Sequence, residues 1–192
     1  MKEIARLIIV LTLISAAAGV LLAYTNKVTR DPIEKARSRE TVEALALVLP
    51  SFDNQPSTCT NVIAAQGRTW TFYVARRNGR YVGAAFESSS HKGYGGEIKL
   101  MIGVTADGTV KDVRILAQQE TPGLGTKVTE MPFRGQLANK PVEGTVWKVR
   151  KDGGAFDAVT GATISSRAVL EAIQTGLGAY REHQAAIAAT GQ

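Results

Sequence analysis

The sequence predicts an α+β protein in which a single N-terminal transmembrane helix precedes a soluble domain of antiparallel hairpins packed with helices. Three features carry that reading. Residues 7–26 are uncharged and dominated by Leu, Ile, Val and Ala. Two pairs of β-prone runs are each joined across a glycine turn, Asn78-Gly79 and Asp107-Gly108. A stripe of Ala168, Val169, Ala172, Ile173 and Leu177 recurs at helical spacing near the end of the chain.

Residues 1–6 form a short tail carrying Lys2 and Arg6. The following uncharged run, 7–26, matches the roughly 20 residues that a helix needs to cross hydrocarbon. Ala16-Ala17-Ala18 resembles a signal-peptidase site, but the apolar run continues past it through Val20, Leu21 and Leu22, so the segment reads as a retained anchor. No ionisable residue lies inside the span, and a helix without one offers no ion path by itself. Ser15 and Gly19 have the small-xxx-small spacing that lets a second helix approach. Lys27, Arg30, Lys35, Arg37 and Arg39 follow the span, but long domains translocate largely regardless of flanking charge, so the charge pattern leaves orientation open. Within a juxtamembrane segment at 27–50, an amphipathic helix is expected over 31–49, with Pro32 in its first turn and Pro50 ending it.

The soluble domain is expected over 51–184. Its strands are predicted at 68–75 and 80–87, then at 97–105 and 109–116, because the Asn-Gly and Asp-Gly turns favour tight hairpins. In the third strand Leu100, Ile102 and Val104 alternate with Met101, Gly103 and Thr105, as in a half-buried strand. A short helix from Lys127, a loop at 133–135, a strand at 146–150 and a helix over 162–180 complete the domain. The Ala-rich end, 185–192, reads as a frayed tail.

Composition excludes several chemistries. The net charge of +6 is scattered in runs of at most two, and aromatics make up only 6%, so a nucleic-acid partner is not expected. One cysteine, Cys59, rules out an intramolecular disulfide and any Cys-ligated cluster. The two histidines, His91 and His183, provide little material for a metal site or a Ser/His/Asp triad. No metal ligands and no catalytic acid/base pair are assigned.

Three segments hold more glycine than packing requires: Gly93-Tyr94-Gly95-Gly96, Thr121-Pro122-Gly123-Leu124-Gly125 and Thr160-Gly161-Ala162-Thr163. Taken singly, each reads as a plain turn, and Pro122-Gly123 is an ordinary type II signal. None is a dinucleotide or P-loop cradle. In the third segment, four hydroxyl residues among seven, Thr160 to Ser166, exceed what one helix cap uses. Thr163 falls at the expected start of the last helix, where free amides and the helix dipole favour a phosphate, and Ser165 and Ser166 add hydroxyls in that first turn.

The stretch Asp157-Ala158-Val159-Thr160-Gly161-Ala162-Thr163 resembles the flavinylation motif of the FMN-binding domain family, in which the last hydroxyl accepts the cofactor. Glu120-Thr121-Pro122-Gly123-Leu124-Gly125 resembles the family's preceding signature, and Gly93-Tyr94-Gly95-Gly96-Glu97-Ile98 lies where a further family segment is expected. With its anchor, the chain is similar over about 150 residues to the G subunits of Rnf-type electron-transport complexes. The resemblance implies FMN bound covalently through a phosphoester to Thr163, attached by a flavin transferase. It also implies cofactor contacts from Thr160, Gly161, Ala162, Ser165 and Ser166, while Thr121, Gly123, Leu124 and Gly125 face the ring. The implied role is electron relay in a ferredoxin:NAD oxidoreductase that translocates H⁺ or Na⁺. Its partners would be the membrane and other membrane, iron–sulfur and flavin subunits, with the domain on the periplasmic side of a bacterial inner membrane. The C subunit of the sodium-pumping NADH:quinone oxidoreductase shares the last two motifs and is the nearest alternative. A non-redox tethered assembly protein is the alternative of a different class.

Overall fold

A computed structural model describes residues 2–65 and 67–191, which divide into two compact units, Met1–Glu40 and Thr41–Gln192. Helix α1 runs Lys2–Val48 and contains Pro32 within it. The separate helix expected to begin near Pro32 is therefore absent. Proline's fixed φ is compatible with a helix, although here it removes the bond to the carbonyl four residues earlier and its ring crowds that carbonyl. In the first unit, Lys2–Arg30 is long and apolar enough to cross a membrane, an 18-residue stretch within it having a mean hydropathy of 2.5. The hydroxyls of Thr12, Thr25 and Thr29 donate to the carbonyls four residues before them at 2.8 Å, which satisfies them without water.

The second unit is built on a six-stranded antiparallel sheet in chain order: β1 (Thr60–Ala65), β2 (Arg68–Arg77), β3 (Arg80–Ser90), β4 (Ile98–Thr105), β5 (Thr109–Ala117) and β6 (Lys140–Pro141). The expected hairpins form. At the first, Asn78 and Gly79 both take positive φ (51° and 73°), the twist that a two-residue hairpin needs. At the second, Gly108 takes φ 78°. β1 leaves no periodic signal in the sequence because its apolar residues, Val62, Ile63, Ala64 and Ala65, run consecutively and do not alternate with polar ones, and the strand sits half-exposed at the sheet edge.

One face of the sheet carries a cross-strand row, Phe72, Phe86, Ile102 and Val113, each paired with the next. Helix α3 (Thr163–Ala189) covers this face through Val169, Ala172, Ile173 and Tyr180, with the Tyr180 ring stacked on Phe86 at 5.8 Å. Gly176 permits that approach, since a Cβ there would lie 2.7 Å from the Phe86 ring. The opposite face is buried as well. Ala44, Leu45, Val48 and Leu49 pack on Ala75, Ala85 and Met101, and a Cβ on Gly103 would fall 2.0 Å from the Val48 carbonyl oxygen. The expectation of a half-buried β4 is corrected accordingly: five consecutive residues from Leu100 to Val104 are buried because each face has its own cover.

Between β5 and α3 the chain forms a 3-10 turn (Gly125–Thr129), a one-turn helix α2 (Met131–Arg134) and a second 3-10 turn (Arg150–Asp152). Phe133, expected in a loop, lies in α2, which has Pro132 in its first turn and is held by the burial of Phe133 against the core. The strand expected at 146–150 does not form. Val149 makes only an isolated bridge to Phe156 before the chain turns.

The tail expected to fray after His183 instead continues as α3 to Ala189, with Ile187 fully buried. Its end is capped by the buried Arg76 of β2, whose guanidinium donates to the carbonyls of Ala188 (2.7 Å) and Thr190 (2.7 and 3.0 Å). Arg76→Ala leaves these carbonyls without donors, so the chain is expected to lose about 2–3 kcal/mol of stability. Denaturant unfolding measures the loss, and hydrogen exchange localises it to the last turn of α3.

Candidate functional site

The segment leading to Thr163 is folded by local contacts. Phe156 stacks on Trp147 at 4.9 Å, and Gly154 lets the chain double back, since a Cβ there would be 1.9 Å from the Lys148 carbonyl. Asp157, the first residue of the motif, donates its amide to Gln136 (2.9 Å) and accepts from Arg150 Nε (2.6 Å). Gly161 takes φ 79°, and the Ala162 amide closes the turn onto Val159 at 2.9 Å. Helix α3 then begins, with Thr163 as its first residue and no side-chain cap. Thr160 is exposed, Thr163 is half-buried and Ala162 is buried.

The two serines turn inward. Ser166 Oγ accepts from the Val159 amide and donates to the Ala162 carbonyl, both at 3.0 Å. Ser165 Oγ donates to Glu120 Oε2 at 2.6 Å. Both are buried, so neither hydroxyl proton remains for a phosphate, contrary to the expectation from sequence. Donors for an anion at this end are instead the first-turn amides of α3, which have no intrahelical acceptor.

The loop 121–125 forms the expected type II turn: the Leu124 amide donates to the Thr121 carbonyl at 3.2 Å, and Gly123 has φ 75°. The Gly123 amide is taken by Thr126 Oγ1 at 3.0 Å, so these two amides serve the turn and are not free for a ring. The Leu124 side chain remains 47% exposed, and a Cβ on Gly161 would touch its Cδ2 at 3.4 Å. The second glycine segment thus lies against the third.

All three segments meet at Glu120, a residue the sequence marked only as part of a signature. The residue is 5% exposed, and its carboxylate accepts the Gly95 amide on Oε1 at 3.1 Å and the Ser165 hydroxyl on Oε2. Glycines make room for it: a Cβ on Gly93 would lie 2.5 Å from Oε1, and one on Gly125 2.6 Å from Oε2. The only sequence signal for this hub was indirect, an excess of glycine whose common purpose appears only in three dimensions.

A cavity of about 330 Å³ opens beside Thr163, lined by Gly161, Thr160, Val159, Asp157, Arg150 and Lys151. A larger cleft of about 790 Å³ shares Arg150, Asp157 and Thr160 and extends over Phe133 and Phe156 to Lys127 and Lys140. On the outer side, Leu124, Ile164 (49%) and Tyr94 (72%) expose apolar surface. The arrangement suits a ligand with an anionic phosphate at one end and a flat apolar group at the other.

Ion pairs brace this surface. Ser90 Oγ (2.8 Å) and Lys92 Nζ (2.6 Å) both bond Glu171, tying the strand end before the first glycine loop to α3. The Lys92 hydrogen bond holds the Glu171 carboxyl below its usual range. Arg167 makes a bidentate pair with Asp152 at 2.7 and 2.8 Å, fixing the 3-10 turn that carries Arg150 and Lys151 to the first turns of α3. That hydrogen bond, followed by the attraction of Arg167 and Lys148, keeps the Asp152 carboxyl below its ordinary 3.8. Because the folded pKa is the lower one, the pair stabilises above that ordinary value and fades as pH falls through the depressed one. Arg167→Gln is expected to shift the unfolding midpoint slightly downward at neutral pH. The difference from wild type is expected to shrink as pH falls below 3.8, the ordinary carboxyl value, which unfolding curves at neutral and acid pH test.

Comparison with known proteins gives a consistent result. Residues 93–178 match the model of the FMN-binding domain. The chain is 36% identical over 188 residues to the G subunit of the ion-translocating oxidoreductase complex of Vibrio cholerae, covering 92% of this chain and 90% of that one. It is 37% identical over 190 residues to the corresponding protein of Cereibacter sphaeroides, covering 94% and 86%. The fold is shared with the crystal structure of Shewanella oneidensis NqrC (TM-score 0.53, 20% identity, 69% of this chain and 70% of that one). It is also shared with the C subunit of the Na⁺-translocating NADH-quinone reductase of Parabacteroides distasonis (TM-score 0.51, 22% identity, 65% of each chain).

Proposed function

The chain belongs to the family of G subunits of ion-translocating oxidoreductase complexes, and on that premise we propose that it is the electron relay of a membrane-bound ferredoxin:NAD oxidoreductase, carrying FMN on Thr163. The observation that carries the proposal is the position of Thr163. It is the first residue of α3, on a cavity with Arg150 and Lys151, two residues after Gly161, which lies against the exposed Leu124.

The residues fit the cofactor. The first-turn amides of α3 with Arg150 and Lys151 suit the phosphate, and Leu124, Ile164 and Tyr94 offer apolar surface to the ring. Bound flavin supplies the one- and two-electron chemistry, while the polypeptide sets its position and surroundings. Attachment forms a Thr163 Oγ1–P bond and breaks the phosphoanhydride P–O bond of a flavin dinucleotide held by a separate flavin transferase; FMN stays on the chain and the nucleoside monophosphate leaves, with release of the hydroxyl proton. A covalent link retains the cofactor in every oxidation state, as a relay requires. The apolar helix Lys2–Arg30 would serve as a single-pass anchor in the bacterial inner membrane, with the domain on the periplasmic side and membrane, iron–sulfur and flavin subunits as neighbours.

The test is the intact mass of the denatured chain after co-expression with a flavin transferase, together with its absorption spectrum. The expected result is a gain of one FMN less one water and a yellow polypeptide after denaturation. An unmodified, colourless chain beside a control substrate that the same transferase modifies overturns the covalent reading.

A further inference from the structure

We propose that Glu120 is the positioning residue of the flavin site, locking the Thr163 turn to the two glycine loops and setting the flavin's reduction potential through its charge. The proposal rests on the reading of Thr163 as the flavin anchor.

Three observations carry it. First, a carboxylate is almost never buried unless it is paired, yet Glu120 is 5% exposed and its side-chain partners among the described residues are a hydroxyl and an amide, Ser165 Oγ and Gly95 N. Both are donors, so the carboxyl acts as an acceptor on each oxygen. Ser165 stands in the first turn of α3, where the positive end of the helix dipole favours a negative charge.

Second, the chain has given up side chains at separate places to admit this group. A Cβ on Gly93 or Gly125 would collide with the carboxylate itself, and one on Gly95 would fall 1.8 Å from the carbonyl oxygen of the preceding residue, Gln119. An apolar side chain would fill the same volume without needing donors. What the carboxylate adds is a directed tie from the segment carrying the type II turn both to the 93–96 loop and to α3.

Third, the tie is made in the same first turn of α3 that begins with the acceptor. Ser165 is two residues from Thr163, and Leu124, four residues from Glu120, reaches Gly161. A fixed negative charge in the segment that supports the flavin anchor opposes the arrival of an electron on the bound ring and competes with the phosphate for the dipole of α3. Its removal therefore raises the potential.

The experiment uses the full-length chain in detergent, co-expressed with a flavin transferase, as wild type, Glu120→Gln and Ser165→Ala. Intact mass reports attachment, redox titration the reduced-to-oxidised ratio, and visible circular dichroism the ring's surroundings. At the wild-type midpoint, Glu120→Gln is expected to raise the reduced-to-oxidised ratio on the order of tenfold, the effect of one unit charge about 12 Å away at an effective dielectric constant of about 20. Ser165→Ala keeps the charge and breaks the tie to α3, so the ratio stays near wild type while the dichroism changes. A folded, flavinylated Glu120→Gln chain with the wild-type ratio and dichroism overturns the proposal. If Glu120→Gln does not fold, Ser165→Ala decides alone, and unchanged dichroism overturns it. A wild-type chain without the flavin mass overturns the Thr163 reading as well, and the mass itself tells the two failures apart.

Discussion

Thr163→Ala is expected to abolish flavin attachment completely, leaving the denatured chain at its unmodified mass under conditions where wild type gains one FMN less one water. The expectation follows from the surroundings of each hydroxyl in the motif. Ser165 and Ser166 are buried and their protons are committed to Glu120 and the Ala162 carbonyl, so neither can take over. Thr163 alone combines partial exposure with the first position of α3 and a place on the cavity that Arg150 and Lys151 line. Stability is expected to change by no more than about 0.5 kcal/mol, because alanine is a better helix former than threonine and Thr163 provides no cap. The loss is therefore chemical and not a failure to fold, which unfolding curves of the two chains check. A Thr163→Ala chain that still carries the flavin mass relocates the acceptor, and peptide mapping would then look first at the exposed Thr160. Thr163→Ser, which keeps a hydroxyl in place, is expected to retain attachment.

Gly95→Ala is expected to have the second largest effect, on the fold of the site. A single methyl there would lie 1.8 Å from the Gln119 carbonyl oxygen and 2.5 Å from its carbon, both backbone atoms that cannot swing aside. The 93–96 loop must then part from the segment bearing Glu120, and the Gly95 amide leaves the carboxylate. Overpacking with loss of a charge-assisted hydrogen bond is expected to cost about 3 kcal/mol. The damage should be local. Denaturant unfolding gives the size, and faster hydrogen exchange at residues 93–96 and 120–125, with the core strands still protected, gives the place. A Gly95→Ala chain as stable as wild type would mean that the loop relaxes freely and that its closeness to Gln119 is incidental. Gly108→Ala makes the contrast, since no atom lies within 4 Å of a Cβ there and only its φ of 78° is strained.

Much of this architecture is legible along the chain. The Asn78-Gly79 and Asp107-Gly108 turns specify their hairpins because the required backbone twist is a local property. The stripe from Ala168 to Leu177 specifies the face of α3, and Pro122-Gly123 specifies a turn that forms as read. The uncharged stretch 7–26 specifies a helix long enough to span hydrocarbon. The errors fall where a distant partner decides. The C-terminal alanines have the composition of a frayed end, but Arg76, more than a hundred residues earlier, caps them. Strand β4 alternates like a half-buried strand, yet the end of α1 covers its second face.

The sequence by itself determined the order of the three glycine segments and the resemblance to a flavinylation motif that names a cofactor, because these are runs of neighbouring residues whose chemistry is local. Only the tertiary structure decided which hydroxyls face outward and what the glycines are for. Ser165 and Ser166 look equivalent to Thr163 in a string of letters, yet the first turn of α3 sends them toward the core and leaves Thr163 at the surface. Glu120 binds partners 25 and 45 residues away, and no periodicity along a chain encodes contacts at those separations. A buried carboxylate draws its meaning from the donors folded around it, and those are supplied only when the loops close.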